Sequence, residues 1–187
     1  TSSAAVTLTF NLTGTNSTNS CPINATTFTV TVNPLPVANA GADISVCSNA
    51  VSGNLGTSTT AGYTYVWTPS TGLSSTTTSN PTVTLLNAGT TPITTTYTLS
   101  VTITATGCSA TDAVVVTVNP LPTITGVQTV CIGSTTQFTG TATANATNPY
   151  VSSNPAIATV NATGLVTGVA AGTATITYTN SNGCTAT

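Results

Sequence analysis

The sequence predicts an all-β chain built from small tandem β-sandwiches, and three observations lead there. Apolar residues alternate with polar ones, mostly Thr, over stretch after stretch. Strict alternation places the apolar set on one face of a half-buried strand. Thr supplies 50 of the 187 residues; β-branched Thr and Val suit a pleated surface and lose side-chain freedom in a helix, and no stretch shows a helical period. Finally, the hexapeptide TVNPLP at Thr31–Pro36 returns at Thr117–Pro122, 86 positions on. Self-similarity at a fixed period marks an array, and a period of this length suits a small β-sandwich.

Taken in chain order, the first strand lies in AVTLTFNLT at 5–13, with Val6, Leu8, Phe10 and Leu12 on one face. Phe28, Val30 and Val32 mark the second. The first TVNPLP ends it, because two prolines fix φ and restrict the residues before them, so a strand cannot continue while the segment stays extended. Asn33, Pro34, Leu35 and Pro36 therefore read as a short, stiff joint, and Asn119, Pro120, Leu121 and Pro122 as its second copy. Between the joints come a leading strand ending at Cys47, the stripe Tyr63, Tyr65 and Trp67, a long strand with Tyr97, Leu99, Val101 and Ile103 inward, and a last strand with Val114, Val116 and Val118. Beyond the second joint, TITGVQTVC repeats the leading strand, and Ala174, Ile176 and Tyr178 repeat the long one.

Aligned on the joints, residues 1–36 hold the last two strands of one unit, 37–122 a whole unit, and 123–187 a third unit. The third stops at GCTAT where the second runs on as GCSATDAVVVTV, so it is expected to lack its last strand. No apolar run approaches the roughly 18 residues of a membrane span, and no charged-then-apolar leader opens the chain. A mature or internal segment is expected, with no membrane insertion.

The five cysteines follow the same frame. Cys47 and Cys131 close the leading strands; Cys21, Cys108 and Cys184 precede the last strands. The natural pairs within units are Cys47–Cys108 and Cys131–Cys184, leaving Cys21 with a partner upstream of residue 1. Buried free thiols are the alternative, and the recurrence of a pair at the same place in each unit speaks for bonds. Disulfides imply an oxidising, extracellular compartment. Zinc fits poorly, with no C-x-x-C and no His.

Charge excludes most chemistry. The chain has no Lys, Arg, His or Glu, and its two acids, Asp43 and Asp112, lie 69 positions apart; an average chain is about 25% charged. A catalytic acid or base near neutrality is missing, and a Ser or Cys nucleophile lacks a base. Calcium needs clustered carboxylates, nucleic acid needs cations to meet phosphate, and the glycines of GVAAGTAT at 168–175, without a Lys, read as a turn rather than a phosphate cradle. No enzyme activity, cofactor, metal or nucleic-acid partner is expected. Trp67 reads as a core aromatic, with a sugar-stacking platform as the alternative. Asn11, Asn16, Asn24, Asn145 and Asn161 head Asn-x-Ser/Thr triplets, which become glycan sites only where the host has the machinery.

Two stretches carry resemblances. PVANAGADISVC at 36–47, with YTYVWTPSTGLSSTTTSNPTVTL and TTYTLSVTITATGCSATDAVVVTVNPLP, resembles the polycystic-kidney-disease-like (PKD-like) Ig-fold repeats of long secreted surface proteins of gliding and adhesive Bacteroidota. It departs from them in lacking the acidic Gly-Asp-Gly turn. SSNPAIATVNATGLVTGVAAGTATITYT at 152–179 resembles the bacterial Ig-like group 2 domain, common in adhesins of the intimin and invasin type. The resemblances imply Ig-like sandwiches in a linear array, exported to the cell surface, and no activity.

Two functions follow. One is a non-catalytic, disulfide-stapled stalk or fibre whose partners are neighbouring copies or repeats of the same protein. The other is an adhesin module gripping a glycan or a surface protein through its loops. Net charge near zero promotes side-by-side association, and no polar, aromatic or metal-bearing patch stands out, which favours the structural reading.

Overall fold

A computed structural model describes residues 4–15, 17–18 and 22–187. The fold is all-β, and no residue among those described is helical. Among the described residues thirteen strands form four sheets.

Strands β1 (Val6–Thr15) and β2 (Pro22–Val32) form an antiparallel hairpin, with Val6 opposite Val32, Leu8 opposite Val30 and Phe10 opposite Phe28. The alternation read from the sequence thus becomes one apolar face. That face is bare: Phe10, Phe28, Val30 and Val32 are 50–57% exposed.

The second sheet has the order β3-β6-β5-β4, from β3 (Ile44–Cys47), β4 (Tyr63–Thr68), β5 (Ile93–Ile103) and β6 (Ser109–Asn119). β4, β5 and β6 are antiparallel neighbours, but β3 runs parallel to β6, Ile44 beside Val116 and Cys47 beside Asn119. Inward residues come at every second position, as the pleat requires: Tyr65 and Trp67; Tyr97, Leu99 and Val101; Val114, Val116 and Val118, all buried. Over them lies a second layer of short, irregular pairings. Ser52 N–H donates to the Val83 carbonyl at 2.8 Å, Leu55 N–H to that of Pro81 at 2.8 Å, and Thr84 N–H to that of Gly72 at 2.9 Å. Ala40, Leu55 and Val83 from this side complete the core. Gly56 is needed there, since a Cβ at its φ of 67° would stand 2.2 Å from the Ser79 carbonyl oxygen.

Residues 124–186 form two facing sheets. One has the order β10-β11-β8-β7, from β7 (Ile124–Gly126), β8 (Thr135–Gly140), β10 (Ala158–Val160) and β11 (Leu165–Gly168). The other has the order β13-β12-β9, from β9 (Tyr150–Ser152), β12 (Ile176–Thr179) and β13 (Thr185–Ala186). Val166, Ile176, Tyr178 and Cys184 are buried in this part. Tyr178 lies over Gly140, where any Cβ would meet its ring at 2.4 Å.

Candidate functional site: the cysteines and the joints

The two joints share their exposure pattern at the closing Leu-Pro and differ at the Asn-Pro before it. Pro36, Pro120 and Pro122 are buried, while Leu35 and Leu121 point outward, 68% and 51% exposed. Asn33 and Pro34 are half-buried and Asn119 is buried. A cleft of about 600 Å³ at the first joint is lined by Val6, Val32, Pro34, Pro36, Tyr63 and Ile103, among others.

The second joint is tied on both sides. Ahead of it, Ser48 N–H donates to the Asn119 carbonyl at 2.8 Å and the Asn119 amide donates to Ser45 Oγ at 2.7 Å. After it, Thr123 N–H donates to Thr141 Oγ1 at 2.7 Å, and Thr141 N–H donates back to the Thr123 carbonyl at 2.8 Å. Across it runs a disulfide, Cys47–Cys184, with Cα atoms 5.6 Å apart and 137 positions of sequence between them.

This corrects the expected pairing. Neither Cys47–Cys108 nor Cys131–Cys184 is formed; Cys108 is a half-buried free thiol and Cys131 an exposed one. The reason is the parallel pairing of β3 with β6. Cys47 stands level with Asn119 at the end of β6, whereas Cys108 precedes its first residue. Those eleven residues span roughly 36 Å at about 3.3 Å per residue, and a disulfide needs Cα atoms within about 7 Å. The same opposition holds after the joint. Cys184 lies at the β12–β13 turn, tied through Ser181 N–H to the Thr143 carbonyl, just past the Gly140 end of β8. Cys131 lies before the other end of β8, packed on Gly168. Cys21 lies outside the described residues.

The signal was present in the sequence. A chain that enters a sandwich at one end and leaves at the other has parallel first and last strands. A cysteine closing the first and a cysteine opening the last then sit at opposite ends.

The turns that hold these cysteines come in matched pairs. The N–H three residues after Cys47 (Ala50) and after Cys131 (Ser134) each donate to that cysteine's carbonyl at 3.0 Å, with positive φ at the intervening Asn49 and Gly133. Cys108 and Cys184 each close a hairpin turn after a positive-φ glycine, Gly107 or Gly183, and their carbonyls accept from Ile103 N–H at 2.9 Å and Asn180 N–H at 3.0 Å. Asn180 is buried, and its Oδ1 accepts from Cys184 N–H at 2.9 Å and Asn182 N–H at 3.1 Å.

The two acids serve the backbone. Asp112 Oδ2 accepts from the N–H of buried Ala40 at 2.8 Å, and Asp43 Oδ1 accepts from Val115 N–H at 2.8 Å. Each fastens the leading segment to β6, a role that sequence reading did not assign. Among the described residues no three His, Cys, Asp or Glu side chains come together. Trp67 is a core residue, 1% exposed, its Nε1–H donating to the Thr78 carbonyl at 2.9 Å, so it offers no stacking platform. Burial raises the Tyr97 phenol above its ordinary value, and burial, then the neighbouring Tyr150, raises Tyr178. Residues 169–175 form the loop between β11 and β12.

All of this describes β-sandwiches of Ig-like type, with a disulfide running across the second Asn-Pro-Leu-Pro segment. Compared with known proteins, residues 116–187 match the family described as bacterial Ig-like domain (group 2). No curated protein matches the chain in sequence. Among solved structures, the C-terminal 282-residue fragment of intimin, in complex with the intimin-binding domain of its translocated receptor, is similar over 68% of this chain at 22% identity and a TM-score of 0.39. The protocadherin gamma B7 extracellular cadherin domains 1–4 (10% identity, TM-score 0.33) and the protocadherin gamma B4 extracellular domain (13%, 0.34) each cover 98% of it. The chain spans 51%, 56% and 38% of those three structures respectively.

Proposed function

We propose that the chain is a run of tandem Ig-like units in a secreted, non-catalytic stalk or fibre at a cell surface. The units are residues 1–36 (the closing strands of one), 37–122 (PKD-like) and 123–187 (group 2). The partners are neighbouring repeats of the same kind, and the sequence resemblance points to surface proteins of Bacteroidota. The observation that carries this reading is the bond between Cys47 and Cys184 on either side of the Asn119–Pro122 joint. A bond that closes on one bead stiffens that bead; a bond across a joint stiffens the rod. Tension entering through residues 37–47 crosses to Cys184, so residues 48–183 carry no load. Among the described residues no helix is long and apolar enough to cross a membrane.

Single-molecule pulling from residues ahead of Cys47 and behind Cys184 tests this. The oxidised protein is expected to give no long unfolding step. Reduction is expected to release on the order of 450 Å, the stretched length of the loop at about 3.3–3.6 Å per residue. Long steps while oxidised would overturn it.

The adhesin reading has one observation in its favour, the bare apolar face of β1–β2, with Phe10 and Phe28 55% and 57% exposed. Binding of the 187-residue chain on a glycan array, lost on Phe10→Ser, would turn the reading that way.

A further inference from the structure

Cys108 and Cys131, the two described cysteines that Cys47–Cys184 leaves over, fit one rule. Within each unit there is a leading cysteine (Cys47, Cys131) and a trailing one (Cys108, Cys184). The bond formed joins the leading cysteine of one unit to the trailing cysteine of the next. Cys131 occupies the same turn as Cys47, with the same N–H donating to its carbonyl at 3.0 Å and the same positive φ two residues on. Cys108 occupies the same glycine-cysteine hairpin turn as Cys184. Both are free, and both lie where the rule requires. Cys108 is bonded through its carbonyl to Ile103, which lines the cleft at the first joint. Cys131 is exposed at the end of its unit remote from the second joint.

We propose that Cys108 and Cys131 are the two open halves of further joint staples. Cys108 is bonded by the leading cysteine of a preceding repeat, and Cys131 by the trailing cysteine of a following one. This rests on the tandem-array reading above. Each bond forms by oxidation of two thiols. A small-molecule disulfide such as oxidised glutathione takes up the two electrons and two protons and leaves as two thiols. Successive loops then overlap, because residues 131–184 lie inside both the existing bond's loop and the next one, and every joint of the array is clamped by the same chemistry.

The adjoining repeat can belong to a second copy or to the same polypeptide, and two arms separate these. In the first, the 187-residue chain is incubated with oxidised glutathione at high concentration. In the second, a copy of residues 112–187 is appended in register after Thr187, which supplies a last strand, a joint and another unit. Bonds are mapped by mass spectrometry of unreduced peptic peptides, since trypsin has no Lys or Arg to cut. A second-copy source is expected to give covalent multimers linked Cys131 to Cys108. A same-chain source is expected to join Cys131 to the appended copy of Cys184, with complete loss of thiol labelling at Cys131 and Cys47–Cys184 retained. Either supports the proposal, and Cys131→Ser abolishes both. A Cys131 that stays free in both arms, or pairs like with like or with Cys184, overturns it. Hydrogen exchange on the appended residues tells which idea failed: a protected, folded extension with Cys131 free sinks only the staple rule, whereas an unprotected one sinks the array reading itself.

Discussion

β2 and β6 are twins in sequence and opposites in environment. Phe28, Val30 and Val32 correspond to Val114, Val116 and Val118, each 86 positions on, and both trios run into Asn-Pro-Leu-Pro. In β6 all three side chains are fully buried; in β2 they are 57%, 50% and 54% exposed. Their cross-strand partners differ in the same way: Phe10, opposite Phe28, is 55% exposed, while Tyr97, opposite Val114, is at 0%. The joints that follow differ too, the second bridged by Cys47–Cys184 and the first flanked by the free Cys108. Alternation therefore says which residues face a core, and is silent on whether a second layer covers them. Burial comes from Leu55, Val83 and Ala40, brought over β6 by the irregular layer.

Four experiments sharpen or break this contrast. The largest effect belongs to the stapled joint. The chain-entropy model assigns roughly 5 kcal/mol to closing a loop of this length, so Cys47→Ser should lower the denaturant midpoint well below that of the oxidised parent. Cys108→Ser should leave it within about 0.5 kcal/mol, as surface changes do. Equal effects would erase the difference between the joints.

Next comes the cross-strand pair. Tyr97→Ala should cost about 3–5 kcal/mol, the range for removing a large buried aromatic, while Phe10→Ala should stay within about 0.5 kcal/mol. A large loss at Phe10, read by thermal melting of the monomer, would mean that something covers the hairpin.

The acids give a smaller test. Asp112→Ala leaves the buried Ala40 N–H without its acceptor, which costs about 1–3 kcal/mol. Asp43→Ala, at an exposed site, should cost less. Thr26 stands at the position corresponding to Asp112, and Thr26→Ala should be neutral in the same denaturation assay.

The smallest effect is that of pH. Tyr97 and Tyr178 titrate above their ordinary value of 10.0 in the folded chain. The native state then holds its phenolic protons to higher pH than the unfolded chain, so stability is unchanged below about pH 10 and falls above it. With no Lys, Arg, His or Glu, the melting temperature should be flat from about pH 5 to 9 and drop beyond, and Tyr97→Phe should shrink the drop. A shift of many degrees between pH 5 and 8, with the disulfide intact, would contradict this.

What the sequence determined by itself is local and periodic. The strands around Val6, Phe28, Tyr63, Tyr97, Val114 and Ile176 follow from alternation, because a pleated strand turns its side chains to opposite faces at every step. The ends of β2 and β6 follow from prolines that cannot donate to a ladder. Trp67 in the core was legible on the same grounds. What only the tertiary structure decided is long-range. Composition does not say that the strand ends on either side of the second joint meet so that Cys47 faces Cys184. Covalent pairing depends on which strand ends share a point in space, and a 36 Å strand separates cysteines that a repeat alignment places side by side. The roles of Asp43 and Asp112 were hidden likewise. Each carboxylate meets a backbone N–H 72 positions away, and a partner that is merely backbone leaves no mark in the sequence.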